Sequence, residues 1–80
     1  MKLSPREKET LLWAAKGKSA TDTAAILGLS QHTITFHRRQ IMLKMGVASV
    51  TTAVAIAIQL GIIRLSDEDL SNYRFLVTLV

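Results

Sequence analysis

The chain has 80 residues, of which 49% are hydrophobic and 20% charged. This composition favours one small folded domain over a disordered segment. The chain contains no cysteine, which excludes disulfides and thiolate metal sites. Its two histidines, His32 and His37, do not have the i, i+4 spacing of a helical zinc pair. We therefore expect neither a metal nor another cofactor.

The charge is distributed unevenly along the chain. Residues 1–64 carry nine lysines and arginines against three acidic residues, whereas residues 65–80 carry one arginine against three acidic residues. A basic body with an acidic tail favours a polyanionic partner for the body. The uncharged run from Met45 to Ile63 is barely long enough for a membrane span and contains polar residues and glycines. Since no signal-peptide pattern opens the chain, we expect a cytoplasmic protein with no membrane partner.

The first predicted helix begins at Pro5. Ser4 stands in the N-cap position, proline suits the first helical position, and Glu7 completes a capping box. The helix is expected to run to about residue 16 and to end at the glycine that follows. The segment 17–19 then contains Lys18 and offers either a backbone contact to phosphate or an ordinary solvated turn.

The next two predicted helices are the most informative part of the chain. A short helix over about residues 21–27 is followed by the turn Gly28-Leu29-Ser30 and by a longer helix that opens at Gln31. Glycine suits a left-handed helix end, and serine suits an N-cap. Two helices joined by a short glycine-containing turn are typical of a helix-turn-helix, whose second helix enters the DNA major groove. The alternative is a solvated amphipathic helix.

The longer helix is predicted to have two distinct faces. Helical spacing places one stripe against the core: Ile34, His37, Ile41 and Met45. The opposite side carries the candidates for DNA contact in its N-terminal half: His32, Thr35, Phe36 and Arg39. An arginine can pair with guanine O6 and N7, and a methyl group or ring edge can contact a thymine methyl. Phe36 could instead pack against the first helix. His37 is expected to be a packed histidine rather than a catalytic one.

A fourth helix is predicted from about Val50 to Leu60, with Ser49 as its N-cap. It is apolar almost all the way round, a pattern typical of a helix with two buried faces. One face is predicted to close on the core through Ala53, Ile56, Ala57 and Leu60. The other is predicted to pair with the same helix of a second copy through Val50, Val54 and Ile58.

The last part of the chain, residues 64–80, contains a second capping pattern. Ser66 followed by three acidic residues predicts a short capped helix, and Tyr73 to Val80 is strongly apolar. In the arrangement that the family resemblance described below implies, Met42 and Leu43 would form an exposed apolar pair, which calls for a partner. We hypothesise that the tail covers this pair, either in the same chain or in a second copy.

Together, these residues resemble the LuxR-type helix-turn-helix domain. The matches fall in the family's order and spacing: Leu3 to Glu7, Trp13, Ala15, Gly17 to Ser19, Ala24, Leu27, Ser30, Thr33, Ile34, His37, Lys44, Val47, Ala53, Ala57 and Gly61 to Ile63. The resemblance implies an all-α, four-helix domain over residues 3–63, with residues 64–80 as a C-terminal extension. It also implies a bacterial transcription regulator, of the kind used in quorum sensing, that binds an inverted repeat in double-stranded DNA as a homodimer. RNA polymerase is a further candidate partner.

The resemblance also implies roles for individual residues. Base contacts fall on Thr35, Phe36 and Arg39. Phosphate contacts fall on Lys18, Ser30, Gln31, His32, Thr33 and Lys44, and Arg38 is expected from its own position to contact phosphate or solvent. Two departures from the family pattern stand out. Thr23 replaces an aliphatic residue, which should loosen packing, and Val50 replaces a position that is often basic, which should remove one phosphate contact.

Two other classes of function are alternatives to DNA binding. A protein-interaction module, which forms mixed dimers with a full-length regulator, is favoured by the Met42–Leu43 pair, Val50 and the extra tail. Lys18, Arg39 and Lys44 argue against it. An enzyme is not expected, because the histidines and carboxylates have no nucleophile, metal cluster or phosphate loop to join them.

Overall fold

The computed structural model describes residues 1–71. Within them lie five helices: α1 (Pro5–Ala15), α2 (Ala20–Leu27), α3 (Gln31–Met45), α4 (Val50–Gln59) and α5 (Asp67–Ser71). No strand occurs in this part of the chain, and the predicted all-α architecture is confirmed. Helix α1 packs against α2, α3 and α4, and α3 packs against α2 and α4. The predicted contact of Tyr73 to Val80 with Met42 and Leu43 lies outside the described residues.

Each of the five helices opens at a serine. The hydroxyl oxygens of Ser4, Ser19, Ser30, Ser49 and Ser66 each accept a hydrogen bond, at 3.1 Å, from the backbone N–H three residues later. A capping oxygen satisfies one of the four N–H groups that have no partner inside a helix. Four of these caps were predicted from the sequence. Ser19 was not, and α2 consequently begins one residue earlier than expected.

The turn between α2 and α3 is set by Gly28. Its φ of 68° is left-handed, a conformation that strains other residues even though a side chain there would meet no neighbour within 4 Å. The turn is closed by the N–H of Leu29, which donates to the carbonyl oxygen of Ala24 at 2.9 Å. Since Ser30 caps α3 two residues later, both ends of the turn are fixed locally.

The core lies where α1, α3 and α4 meet. It contains Leu3, Leu11, Ile41, Ala53, Ala57 and Ile63. The predicted stripe of α3 faces inwards: Ile34 and Ile41 are fully buried and Met45 packs against the core. Thr23 is also fully buried, but its hydroxyl donates to the carbonyl oxygen of Ser19 at 2.8 Å. The buried polar atom is therefore satisfied within its own helix.

The two faces of α4 are less distinct than expected. Val54, which was expected to face a second copy, is half-buried and packs against the core. The predicted core position of Leu60 is wrong, since Leu60 is 61% exposed. The reason is that α4 ends at Gln59. The N–H groups of Ile62 and Ile63 both turn back to the carbonyl oxygen of Ala57, and Ile63 takes the core position instead.

The exposed apolar pair predicted on α3 is also only half correct. Leu43 is 69% exposed, whereas Met42 is half-buried. The two residues are neighbours on a helix, so their side chains point about 100° apart, and only one of them faces away from the domain.

Within residues 1–71, no single helix is long and apolar enough to cross a membrane. Helices α3 and α4 reach the necessary length and composition only when they are counted together across a bend of 58°.

The packing makes a direct prediction about stability. Leu11 is completely buried and Leu43 is 69% exposed, so the same substitution should have very different effects at the two sites. Leu11→Ala should lower the free energy of unfolding by about 2–5 kcal/mol, because it leaves a cavity in the core. Leu43→Ala, the matched control, should change it by less than about 0.5 kcal/mol. Urea unfolding measures both; equal losses would contradict the core described here.

Candidate nucleic-acid interface

One side of α3 is exposed along its N-terminal half. Thr35, Phe36 and Arg39 are all exposed, and their spacing places them on the same side of the helix. Phe36 leaves half of its surface uncovered and contacts His37 of its own helix edge-on, with ring centroids 5.9 Å apart. The other half of the Phe36 surface is covered, and the residue is not among the buried residues of the core. The three residues predicted to contact bases are brought together on one surface.

The N-terminus of α3 adds a set of backbone donors next to that surface. Ser30, Gln31 and His32 are exposed and Thr33 is half-buried. The hydroxyl of Ser30 is already engaged, because it accepts from the N–H of Thr33 at 3.1 Å and lies 2.9 Å from the hydroxyl of Thr33. The unpaired N–H groups of the first turn and the positive end of the helix dipole make this end of α3 suitable for an anion.

A second surface is an open groove of ≈ 570 Å³ beside the α1–α2 turn, which we call the basic groove. Its walls include Gly17, Lys18, Ser19, Arg38, Val50 and Thr51. One hydrogen bond crosses it, from Nη2 of Arg38 to the carbonyl oxygen of Lys18, at 3.0 Å. The Nε atom of Arg38 is buried without a hydrogen-bond partner among the described residues. The groove thus brings together Lys18 and Arg38, which are 20 residues apart in the sequence, and places both next to the first residues of α4.

Lys44 lies outside both surfaces. Its ammonium group donates to Oε1 of Glu7 at 2.7 Å. The Glu7 residue is 4% exposed, and the same carboxylate oxygen accepts from the N–H of Ser4 at 2.8 Å. The sequence predicted the capping role of Glu7 but not this ion pair, since a partner 37 residues away leaves no local pattern. The pair joins the start of α1 to the last turn of α3.

The environment of Glu7 shifts its titration. Burial raises the pKa of this carboxyl, but the hydrogen bonds from Lys44 and Ser4 and the charge of Lys44 outweigh burial and lower the pKa below its ordinary value. The carboxylate is therefore favoured in the folded chain. Because the N-cap and the ion pair share one acceptor, ionised Glu7 stabilises both helices at once.

A further cation, which the sequence reasoning missed, is Lys16, which immediately precedes Gly17 of the basic groove. The ammonium nitrogen of Lys16 lies 4.7 Å from the centre of the Trp13 ring and 3.9 Å from Oδ2 of Asp69 in α5. The i, i+3 spacing of Trp13 and Lys16 on a helix is the signal that could have indicated the first contact.

The residues predicted for dimerisation do not form one exposed stripe. Val50 and Val54 are half-buried and line the basic groove, whereas Ile58 is 42% exposed. Among residues 1–71, no group of three or more histidine, cysteine or acidic side chains could hold a metal ion. The exposed side chain of Ile58 is thus separate from the basic groove.

This is a helix-turn-helix domain, because a capped short helix is joined through a glycine turn to a longer helix with one exposed side. Comparison with known protein families identifies which helix-turn-helix family it is. The family model for bacterial regulatory proteins of the luxR family matches residues 1–57, and the chain belongs to that family.

Several curated proteins are similar to this chain. The putative HTH-type transcriptional regulator y4qH of Sinorhizobium fredii is 49% identical over 63 residues, which cover 79% of this chain and 19% of that protein. The HTH-type quorum-sensing regulator RhlR of Pseudomonas aeruginosa is 44% identical over 61 residues, covering 76% of this chain and 25% of that protein. The transcriptional activator protein LuxR of Aliivibrio fischeri is 41% identical over 61 residues, which cover 76% of this chain and 24% of that protein. The chain therefore spans a quarter or less of these relatives.

The Glu7–Lys44 pair makes a prediction about stability and pH. Glu7→Gln should lower the free energy of unfolding by about 1.5–3 kcal/mol near pH 7, because a charged, buried acceptor is lost. Since the pKa of Glu7 is lower in the folded than in the unfolded chain, its stabilisation is present above the unfolded pKa. That stabilisation is lost as the pH falls through the folded pKa.

Urea unfolding of the wild type and Glu7→Gln from about pH 7 down to about pH 3 tests this expectation. The difference between the two proteins should shrink in the acid range. Glu9→Gln is the matched control, because Glu9 lies in the same helix but makes an exposed pair with Arg6 at 3.7 Å. A difference that is independent of pH, or as large for Glu9→Gln, would contradict the role given to the ion pair.

Proposed function

We propose that this chain is the DNA-binding part of a sequence-specific transcription regulator, which binds an inverted-repeat operator as a homodimer with α3 in the major groove. The observation that carries the proposal is the exposed group Thr35, Phe36 and Arg39 beside the capped N-terminus of α3. A recognition helix presents base-contacting side chains in this part of its length. The family supports the same conclusion, because its members are regulatory proteins.

Arg39 is the strongest candidate for reading a base. Its side chain is exposed, and it is absent from the ion pairs found among the described residues. A free guanidinium can donate two parallel hydrogen bonds to guanine O6 and N7, which discriminates against other bases by about 1–3 kcal/mol. Thr35 and Phe36 offer apolar edges suited to a thymine methyl. The proposal thus assigns hydrogen bonding to one residue and apolar contacts to two.

The basic groove and the start of α3 are proposed to hold the phosphate backbone on either side of the bases. Lys18 supplies an exposed ammonium group, and Arg38 supplies a guanidinium already oriented by the carbonyl oxygen of Lys18. Ser30, Gln31, His32 and Thr33 supply backbone and side-chain donors at the helix end. Such contacts fix register without reading sequence. Lys44 can contact phosphate only with the ammonium hydrogens that it does not donate to Glu7.

Self-association is proposed to use the C-terminal end of α4. Of the three residues predicted for it, Ile58 is the most exposed, while Val50 and Val54 lie at the basic groove. An isologous contact through this end would place two copies of α3 about a two-fold axis, as a palindromic operator requires.

The biological setting is proposed from the relatives. The names of two of them, from Rhodopseudomonas palustris and Pseudomonas aeruginosa, describe quorum-sensing regulators. We propose that this chain serves in transcription control of that kind, acting on chromosomal DNA in the bacterial cytoplasm, with RNA polymerase as a partner.

The second candidate is an interaction module that forms mixed dimers with a full-length regulator. The observation that favours it is Leu43, which is 69% exposed on α3.

The experiment that tests the proposed function is selection of duplexes from a random pool, followed by anisotropy titrations. A two-fold symmetric site should be enriched. Arg39→Ala should lose about 1–3 kcal/mol of discrimination at one position in each half-site. Arg64→Ala is the matched control, because Arg64 is also exposed but lies after α4. If no duplex is enriched, the regulator proposal fails and the mixed-dimer candidate replaces it.

A phosphate contact should behave differently from a base contact in the same titrations. Lys18→Ala should weaken binding to all duplexes alike and lower the slope of log K against log salt by about 0.9. The base preference of the selected site should stay as in the wild type. A change of preference at a single base pair would contradict the assignment of Lys18 to phosphate.

The association surface is tested by a pair of substitutions at equally exposed isoleucines. Ile58 is 42% exposed and Ile26, on α2, is 44% exposed. Ile58→Glu should abolish cooperative binding to the two half-sites, because it places like charges at the centre of a two-fold contact. Ile26→Glu should leave it intact. Light scattering of the protein with a full-site duplex measures the stoichiometry; two copies bound with Ile58→Glu would contradict the assignment.

A further inference from the structure

The segment that follows α4 approaches the turn between α1 and α2. Leu65 is one of the walls of the basic groove, together with Gly17, Lys18 and Ser19, and α5 begins two residues later at Asp67. The family model ends at residue 57, so this segment lies outside the matched part of the chain. An acidic helix therefore follows directly after a wall of the groove proposed for DNA phosphate.

Lys16 connects α5 to the rest of the domain. Its ammonium nitrogen lies 3.9 Å from Oδ2 of Asp69 and over the ring of Trp13. Among the ion pairs of residues 1–71, this one joins α5 to the residue that ends α1. The Lys16 side chain is 28% exposed, and the residue immediately precedes the glycine of the groove. A lysine that is adjacent in sequence to the proposed phosphate groove is thus held by a carboxylate of the extension.

Asp69 is prepared to stay ionised in this position. Its Oδ2 atom accepts from both the N–H and the hydroxyl of Ser66 at 2.9 Å, and the N–H of Asp69 donates to the hydroxyl of Ser66. These hydrogen bonds, the one from the backbone first, lower the pKa of Asp69, and the charge of Lys16 adds to them. The cap of α5 and the contact with Lys16 therefore use the same carboxylate.

We propose that α5 is an autoinhibitory contact, in which Asp69 competes with DNA phosphate for Lys16. This inference rests on the proposed function, since it assumes that the basic groove meets DNA. An ion pair of this length between partly exposed side chains is weak, so phosphate displaces Asp69 and the contact reduces affinity rather than preventing binding. Lys16 then becomes a further phosphate-contacting residue, available only when α5 releases it. The extension sets how tightly the domain holds DNA at a given salt concentration.

The test compares two aspartates of the same short helix in the full chain. Asp69→Asn removes the charge that holds Lys16 but keeps an oxygen that can accept from Ser66. Asp67→Asn is the matched control, because it removes one charge from the same turn without touching Lys16. Anisotropy titrations with the selected duplex between about 50 and about 200 mM salt measure both.

Asp69→Asn should bind about 2–5-fold more tightly than Asp67→Asn at the lowest salt, where charge interactions are least screened. Its slope of log K against log salt should be slightly steeper, because the Lys16–Asp69 pair that phosphate must displace in Asp67→Asn is itself screened as salt rises. In a Lys16→Gln background, Asp69→Asn should have no greater effect than Asp67→Asn. This last comparison separates release of Lys16 from a general loss of negative charge.

The outcomes distinguish this inference from the proposed function. If Asp69→Asn and Asp67→Asn bind with the same affinity and slope, the competition for Lys16 is overturned, while selection of a symmetric site by the wild type still supports the regulator. If the gain of Asp69→Asn persists in the Lys16→Gln background, the competition is overturned in the same way. If neither the wild type nor any variant binds duplex DNA, the proposed function fails and the inference fails with it.

Discussion

The hydrogen-bonded ion pair between Glu7 and Lys44 holds α3, the helix with the proposed base-contacting residues, against α1. Glu7 lies in the first turn of α1, and Lys44 lies in the last turn of α3. Their 2.7 Å contact therefore fixes the far end of α3 against the helix that packs on all of α2, α3 and α4. A rigid helix held at one end and packed along one side has a defined angle to the domain. The direction in which Arg39 points depends on that angle.

The other end of α3 is fixed by different means. Gly28 supplies the left-handed turn, Ser30 caps the helix, and Ile34 anchors its first turns in the interior. These are local and apolar constraints, whereas the Lys44 end is held by charge in addition to the packing of Ile41 and Met45. The two ends should therefore respond differently to conditions: acid protonates Glu7 and loosens the C-terminal end, while the glycine turn and the serine cap do not titrate. The surface formed by Thr35, Phe36 and Arg39 lies between them.

What could be predicted from the sequence follows from the range of each interaction. Caps and glycine turns act over three or four residues, so Ser4, Gly28, Ser30 and Ser49 were identified from their immediate neighbours. The face of α3 was correct because its apolar spacing is regular and its opposite face is polar. The core face of α4 was wrong at Leu60, because a helix that is apolar all round carries no signal for its orientation or its end. The Glu7–Lys44 and Lys16–Asp69 contacts join residues distant in sequence, and nothing local marks such partners.

The position of α4 gives its two ends different surroundings. Val50 lies at the basic groove, the buried Ala53 and Ala57 fill the core, and Ile58 is exposed at the other end. The rise along a helix places Val50 and Ile58 about 12 Å apart, and the backbone hydrogen bonds of the helix fix that separation. Close packing of the two alanines fixes α4 against the rest of the domain. A contact at the groove and a contact at Ile58 are thus held in one rigid geometry. If both are used as proposed, the spacing of two half-sites is set by α4 itself, and association and DNA binding are coupled without any movement inside the domain.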